Sequence, residues 1–328
     1  MFLCFIRIDK IIRNEKLINV TKMSFQKEKK FFKENILSDI CRIEGGYTFD
    51  FCGNLSDILK GEDVVFKISK ISQLKKLGEV VQSENFKRVL ISFGEIARTV
   101  DLQRFDVFEI ASFMKNFSQE NGMNFIYSTP ANIQKRDFDR VFELTLNVVE
   151  KISPDFLEVN DSCFLEKICA EKRFENVGVC FGKNLFPFNF SENKKVFFKN
   201  RVSILNFESI DEVLKYINNN CFNEVKKCLK IFGNVEIEYT SKCLLKTTSE
   251  ENGIFCKAPC ACGKTFFAEK SGGERYPFIT DGFCCSHFYD EKVLNLTEKT
   301  GVLKSVGIDV FEVDLSAFDE VSIEKIFA

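Results

Sequence analysis

Tryptophan is absent from this sequence, histidine occurs once, and there are only 5 prolines and 4 methionines. A single histidine excludes a His-rich metal centre and makes any Ser-His-Asp arrangement depend on His287. No apolar run approaches the roughly 18 residues of a membrane-crossing helix, so no membrane span is expected. The apolar stretch Met1–Ile6 is shorter than a secretory core, and basic residues follow it instead of preceding it, so a cytoplasmic protein is expected. Charge of one sign is lacking too: Lys and Arg total 46 against 48 Asp and Glu, a net charge of −2. Nucleic-acid binding needs a positive excess, so a nucleic-acid partner is not expected. Neither a G-x-G-x-x-G nor a P-loop follows any candidate strand, which leaves a nucleotide-binding fold without motif support.

What is present is a globular composition, 45% hydrophobic and 29% charged over 328 residues. That is room for one large domain or two modest ones. Residues 1–62 read as an N-terminal extension, with a helix over Phe25–Ile43 and a short strand at Tyr47–Cys52. Residues 1–22 look detached, and Met23 reads as an alternative start. From 63 to 328 short apolar runs recur: Val64–Ile68, Val89–Phe93, Asn124–Ser128, Phe156–Asn160, Val177–Phe181, Val202–Phe207, Val235–Tyr239 and Pro277–Thr280. Helical periodicity fills Phe105–Phe117, Asp137–Ile152, Ser162–Lys172 and Ile210–Asn218 between them. Alternating strand and helix predicts an α/β fold with parallel pairing, either a (β/α) TIM-barrel-like fold or an open doubly wound sheet.

In a barrel, functional residues gather where strands end. The polar residues at those positions are Glu95, Asn160, Asp161, Asn184 and Glu208. Turns also favour Gly, Asn, Asp and Ser for their own backbone reasons, so each has a structural reading beside the functional one.

The 14 cysteines divide into two groups. Cys4, Cys41, Cys52, Cys163, Cys169, Cys180, Cys221 and Cys228 sit among apolar neighbours and read as core filler. Cys243, Cys256, Cys260, Cys262, Cys284 and Cys285 crowd a Gly- and Lys-containing stretch, 243–285, spaced C-x12-C-x3-C-x-C and then C-x21-C-C. Thiolates select zinc or iron–sulfur clusters, and the spacing alone leaves both open. His287 reads as a ligand, an acid or base, or a residue merely near such a site.

The stretch Phe232-Gly233-Asn234-Val235-Glu236-Ile237-Glu238-Tyr239-Thr240-Ser241-Lys242-Cys243 resembles the strand of the collagenase-like peptidase family U-32 that ends in Tyr-Ser-x-x-Cys. Further matches follow in the family's order: Phe93-Gly94-Glu95, Tyr127-Ser128-Thr129, Leu157-Glu158-Val159-Asn160-Asp161, Gly182 with Asn184 and Asn189, Glu208-Ser209, Cys256 with Cys260, and Asp281-Gly282-Phe283. Within the family the likeness is closest to the UbiV-type iron–sulfur subunits of O2-independent ubiquinone hydroxylation. The resemblance implies a [4Fe–4S] cluster on Cys243, Cys256, Cys260 and Cys284, with Cys285 and Cys262 as substitutes. UbiV-like chains take the fourth ligand shortly after Gly-Glu, where this chain has Arg98, and larger members use a cysteine where this chain has Glu236. Arg98 is then expected near the substrate mouth, offering its guanidinium to a carboxylate such as prephenate's. The resemblance implies one subunit of a heterodimer with a larger U-32 chain, acting in ring hydroxylation. The alternatives are a non-catalytic iron–sulfur partner, an RNA-hydroxylating member, a zinc-stabilised module and a peptidase.

Overall fold

The computed structural model describes residues 11–13, 16–18, 54–69, 71–83, 86–95, 107–130, 133, 135, 137–182, 185, 203–207, 225–240, 244, 266–269, 275–280, 286–318 and 320–327. Two short strands, β1 (Ile11–Arg13) and β2 (Lys16–Ile18), pair antiparallel with each other. The expected helix at Phe25–Ile43, the strand at Tyr47–Cys52 and the helix at Ile210–Asn218 lie outside the described residues.

Six parallel strands then follow in chain order: β3 (Asp63–Lys67), β4 (Arg88–Glu95), β5 (Asn124–Ser128), β6 (Phe156–Val159), β7 (Gly178–Phe181) and β8 (Ser203–Phe207). β8 pairs in parallel with the start of a long strand, β9 (Lys226–Thr240). Three antiparallel strands come next, β10 (Phe266–Glu269), β11 (Arg275–Thr280) and β12 (Ser286–Asn295), which are joined to the far half of β9. The last strand, β13 (Val310–Asp314), pairs in parallel with both β9 and β3. The parallel pairings that begin at β3 therefore return to β3, and the fold is α/β with its parallel strands paired in a ring. Two expectations are corrected. Pro277–Thr280 falls in the antiparallel β11, and Val310–Asp314 supplies the strand expected there. Val235–Tyr239 is the far half of a strand whose ring segment starts at Lys226.

Side chains alternate across each strand and sort into two apolar clusters. Val65, Leu90, Ile126, Phe156, Cys180, Cys228 and Val310 form one cluster inside the ring. Their neighbours Val64, Phe66, Val89, Ile91, Phe125, Leu157, Val179, Leu229 and Phe311 belong to the larger cluster that also takes in helix residues. Both faces being covered explains why these strands read as continuous apolar runs.

Among the described residues the helices are α1 (Leu55–Leu59), α2 (Ile71–Ser83), α3 (Val107–Glu120), α4 (Phe138–Ile152), α5 (Ser162–Ala170), α6 (Thr300–Ser305) and α7 (Glu320–Phe327). In α4 the buried residues Val141, Phe142, Thr145, Leu146, Val148 and Val149 recur at helical spacing, giving one apolar face. The helix stops at Ser153, which turns left-handed at φ 54° and returns its N–H to the carbonyls of Val148 and Val149. Leu55 and Leu59 of α1 are fully buried in the main cluster, so residues before 63 contribute to the same core.

Where β9 leaves the ring, Gly233 sits at φ +120°, and a Cβ there would fall 2.2 Å from the Asp314 carbonyl oxygen. β13 and β9 shift register at this point, between Glu312 and Val313. Gly233→Ala is expected to cost on the order of 2–4 kcal/mol, from backbone strain plus overpacking. Gly122 also has a positive φ, +66°, but open space around it. Gly122→Ala should cost only about 1 kcal/mol, and urea unfolding of the two variants measures the difference.

Candidate functional site at the C-terminal ends of the parallel strands

Two residues beyond each apolar position inside the ring, one step toward the strand C-termini, stand Lys67, Ser92, Ser128, Glu158, Gly182, Lys230 and Glu312. Period-two alternation puts them on the same inward face. The apolar layer is thus overlaid by a polar, charged one. Lys67 Nζ donates to Glu158 Oε1 at 3.1 Å and pairs with Glu312 Oε2 at 3.0 Å. Lys230 Nζ reaches Asp314 Oδ2 at 2.9 Å and the Asn234 carbonyl at 3.2 Å, and lies 3.7 Å from Glu312 Oε1. Ser128 Oγ donates to the second Glu158 oxygen, and the Ser92 and Ser128 hydroxyls are 3.0 Å apart.

Burial alone would push both lysines toward the neutral amine, but the surrounding carboxylates outweigh it. Glu158, Glu312 and Asp314 hold Lys67 well above its ordinary pKa, and Asp314 and Glu312 raise Lys230. Burial opposes ionisation of Asp314 too, yet Lys230, then Lys67 and the Ser316 side chain, keep its pKa below the usual value. Neither lysine is therefore poised as an amine nucleophile. Burial first, then nearby carboxylates, push the Cys180 and Cys228 thiols well above their ordinary range. They are inert filler, as expected for them. Cys163 departs from that expectation, because it is exposed on α5.

Among the described residues the layer holds two lysines (Lys67, Lys230) against three acids (Glu158, Glu312, Asp314). The Lys67 side chain is 19% exposed, whereas those of Glu158 and Glu312 are 4% and 5% exposed. An ammonium has three N–H groups, and the two carboxylates occupy two of them. An anion brought to about 4 Å from either carboxylate would be repelled by about 4 kcal/mol at an effective dielectric near 20. The Lys67 ammonium attracts the anion by a similar amount at that range, and one lysine does not offset two carboxylates. The layer therefore favours an uncharged acceptor.

The expected pocket residues fare differently. Asn160 is buried at the end of β6, and its Nδ2 donates to the Thr129 carbonyl at 2.8 Å. Its side chain lies so close to Gly182 that a Cβ there would sit 1.7 Å from Asn160 Oδ1. Asp161 caps α5, accepting the Phe164 N–H at 2.9 Å. Both side chains thus carry local structural bonds. The Glu95 backbone pairs with Ser128 in register. Arg98, Asn184, Glu208, Cys243, Cys256, Cys260, Cys262, Cys284 and Cys285 lie outside the described residues. Among the described residues no group of three or more His, Cys, Asp or Glu could hold a metal ion, and no helix is long and apolar enough to cross a membrane.

The antiparallel extension carries the anchor points of the cysteine-bearing stretches. Phe266, Phe278 and Phe288 align in register across β10, β11 and β12, with ring centroids 5.8 and 5.3 Å apart, and form its core. Thr240, Thr280 and Ser286 pair at one end of this sheet. The buried Ser286 hydroxyl accepts the Leu244 N–H at 3.2 Å and lies 3.2 Å from Thr280 Oγ1. His287 is buried, with Nδ1 3.2 Å from Glu236 Oε1.

The sequence reading missed Lys67, Lys230, Glu312 and Asp314 as members of a site. An available signal was an inward polar residue two places after an apolar one on several strands.

No family model matches this chain, and no curated protein matches it. Among solved structures it is similar to the U32 peptidase Mk0906, with TM-score 0.42 and 11% identity over 82% of this chain and 96% of that one. It is also similar to a chain of the tryptophan synthase α2β2 complex of Pyrococcus furiosus, with TM-score 0.41 and 11% identity over 82% of this chain and 95% of that one. A chitinase from Chromobacterium violaceum follows, with TM-score 0.40 and 8% identity over 81% and 98%.

Proposed function

We propose that this chain is a cytoplasmic iron–sulfur protein of the O2-independent hydroxylase type within the U-32 family, built on a (β/α) TIM-barrel-like fold. It works as one subunit of a heterodimer with a larger U-32 chain, in hydroxylation of a ubiquinone-type ring, with prephenate as the small-molecule co-substrate. Cys243, Cys256, Cys260 and Cys284 are the residues that would hold a [4Fe–4S] cluster. Four soft thiolates suit iron in such a cluster, whereas hard oxygen ligands do not.

One observation carries the reading. The Ser286 hydroxyl bonds the backbone of Leu244, which directly follows Cys243, while Ser286 itself directly follows Cys285. Thr280, four residues before Cys284, is held against the same hydroxyl. The described neighbours of two cysteine-bearing stretches are thus tied together. Phe266, six residues after Cys260, pairs with Phe278 on the adjoining strand. A span of six residues reaches at most about 20 Å, so the third stretch is tethered to the same small sheet. When bound, the cluster would supply one-electron redox chemistry. The chain's own part is to hold polar substrate atoms at the strand ends.

Purified without oxygen, the full chain is expected to be brown and to carry iron and acid-labile sulfide in near-equal amounts, with a cluster-type visible and electron paramagnetic spectrum. Zinc alone, or a colourless protein after anaerobic reconstitution, overturns the reading.

A further inference from the structure

We infer that Lys67 is a ligand-positioning residue, whose third N–H donates across the strand mouth to an uncharged oxygen, of the carbonyl or hydroxyl class, on a bound small molecule. The inference rests on the reading of the mouth as a substrate site and deepens it by naming the ligand chemistry. Three observations carry it. Lys67 stands at the C-terminal end of β3, the end at which parallel strands present functional groups. Its partners among the described residues are Glu158 and Glu312, which leave one donor unspent, and its side chain is 19% exposed while theirs are nearly buried. Lys230 offers no such donor, because Asp314, the Asn234 carbonyl and Glu312 surround it.

The charge balance selects the ligand. Among the described residues three acids face two lysines, so a carboxylate or phosphate placed directly against Glu158 and Glu312 meets like charge, and a substrate carboxylate such as prephenate's belongs at Arg98 and not at Lys67. A ketone, amide or hydroxyl oxygen accepts the same N–H without that repulsion. Lys67 would fix the orientation of such a group. The locked ammonium would not exchange its proton during turnover, so Lys67 positions and does not act as an acid or base.

Two ligands of one shape separate the possibilities in the full chain: 4-fluoroacetophenone, whose oxygen is neutral, and 4-fluorobenzoate, whose oxygens are charged. Binding is read from 19F line broadening in titrations. The ketone is expected to bind at least tenfold tighter than the carboxylate. The paired variant Lys67→Met with Glu158→Gln removes one charge of each sign and keeps the balance. It should weaken ketone binding at least tenfold while circular dichroism stays unchanged. Benzoate binding as tight as the ketone, no binding of either compound, or ketone binding unaltered in the paired variant overturns the inference. The selectivity of the unaltered chain decides the matter by itself if the variant fails to fold. Iron content is measured in the same samples. Iron without ketone binding sinks this inference and spares the cluster reading, and ketone binding without iron does the reverse.

Discussion

Lys230→Met is expected to destabilise the chain by about 3–5 kcal/mol, the loss typical of removing one partner from a buried ion pair. Lys230 is buried, and its ammonium is 2.9 Å from Asp314 Oδ2 and 3.7 Å from Glu312 Oε1. Methionine fills a similar volume but leaves both carboxylates facing each other with less compensation. Domains are stable by only about 5–15 kcal/mol, so the variant stands near the edge of folding. Lys230→Met combined with Asp314→Asn should recover a good part of the loss, because the leftover charge goes with its partner. Urea midpoints of the two variants and the unaltered chain check this. A single variant within about 1 kcal/mol of the parent would mean that the pair is solvated in solution. The pH dependence has a defined sign. The Asp314 pKa is lowered on folding, so its contribution is present above the unfolded value near 4 and is lost as pH falls through the folded one. The Lys230 and Lys67 pKa values are raised, so their contributions are full below about 10.4 and are lost as pH rises through the folded values. Thermal midpoints should therefore owe no slope to these three groups between about pH 5 and 9, and should lose their contribution outside it.

Serine at Cys243, Cys256, Cys260 or Cys284 is expected to abolish bound iron, because a hydroxyl is a poor replacement for thiolate on iron. Cys180→Ser and Cys163→Ser should keep full iron content. Cys180 is sealed inside the strand ring with its thiol pushed well up, and Cys163 lies on the surface of α5. Cys285→Ala should also retain iron, since Cys284 is the assigned fourth ligand. Arg98→Ala should keep the cluster and lose ligand binding. Iron counted per chain after anaerobic purification decides each case. Iron lost with Cys180→Ser but kept with Cys256→Ser would reverse the assignment. Iron kept with Cys284→Ala but lost with Cys285→Ala or Cys262→Ala would move the fourth ligand.

The strands that were legible in the sequence are those with both faces apolar. Asn124–Ser128 has the bounds read from the sequence, and the strands near Val64, Val89, Phe156, Val177 and Val202 sit within two residues of theirs. Consecutive parallel pairing was legible for the same reason, since helical periodicity fills the gaps between several of them. Val310–Asp314 escaped notice because it reads Val-Phe-Glu-Val-Asp, and Glu312 and Asp314 interrupt its apolar residues. Lys226–Phe232 escaped because three lysines interrupt its apolar residues.

Those interruptions form the candidate site. Glu312, Asp314 and Lys230 are tolerable inside the ring only because each charge meets its opposite there, and a single strand does not reveal its partners. The sequence by itself determined the alternation of strand and helix, the parallel sense of the sheet and the crowding of cysteines between 243 and 285, since each is a matter of local spacing and residue type. Only the tertiary structure decided that Val310–Asp314 comes between β9 and β3, that β9 runs on into an antiparallel sheet, and that Lys67, Glu158 and Glu312 meet. Lys67 and Glu312 are 245 positions apart in the chain, and their pairing depends on the ring that returns the last strand to the first.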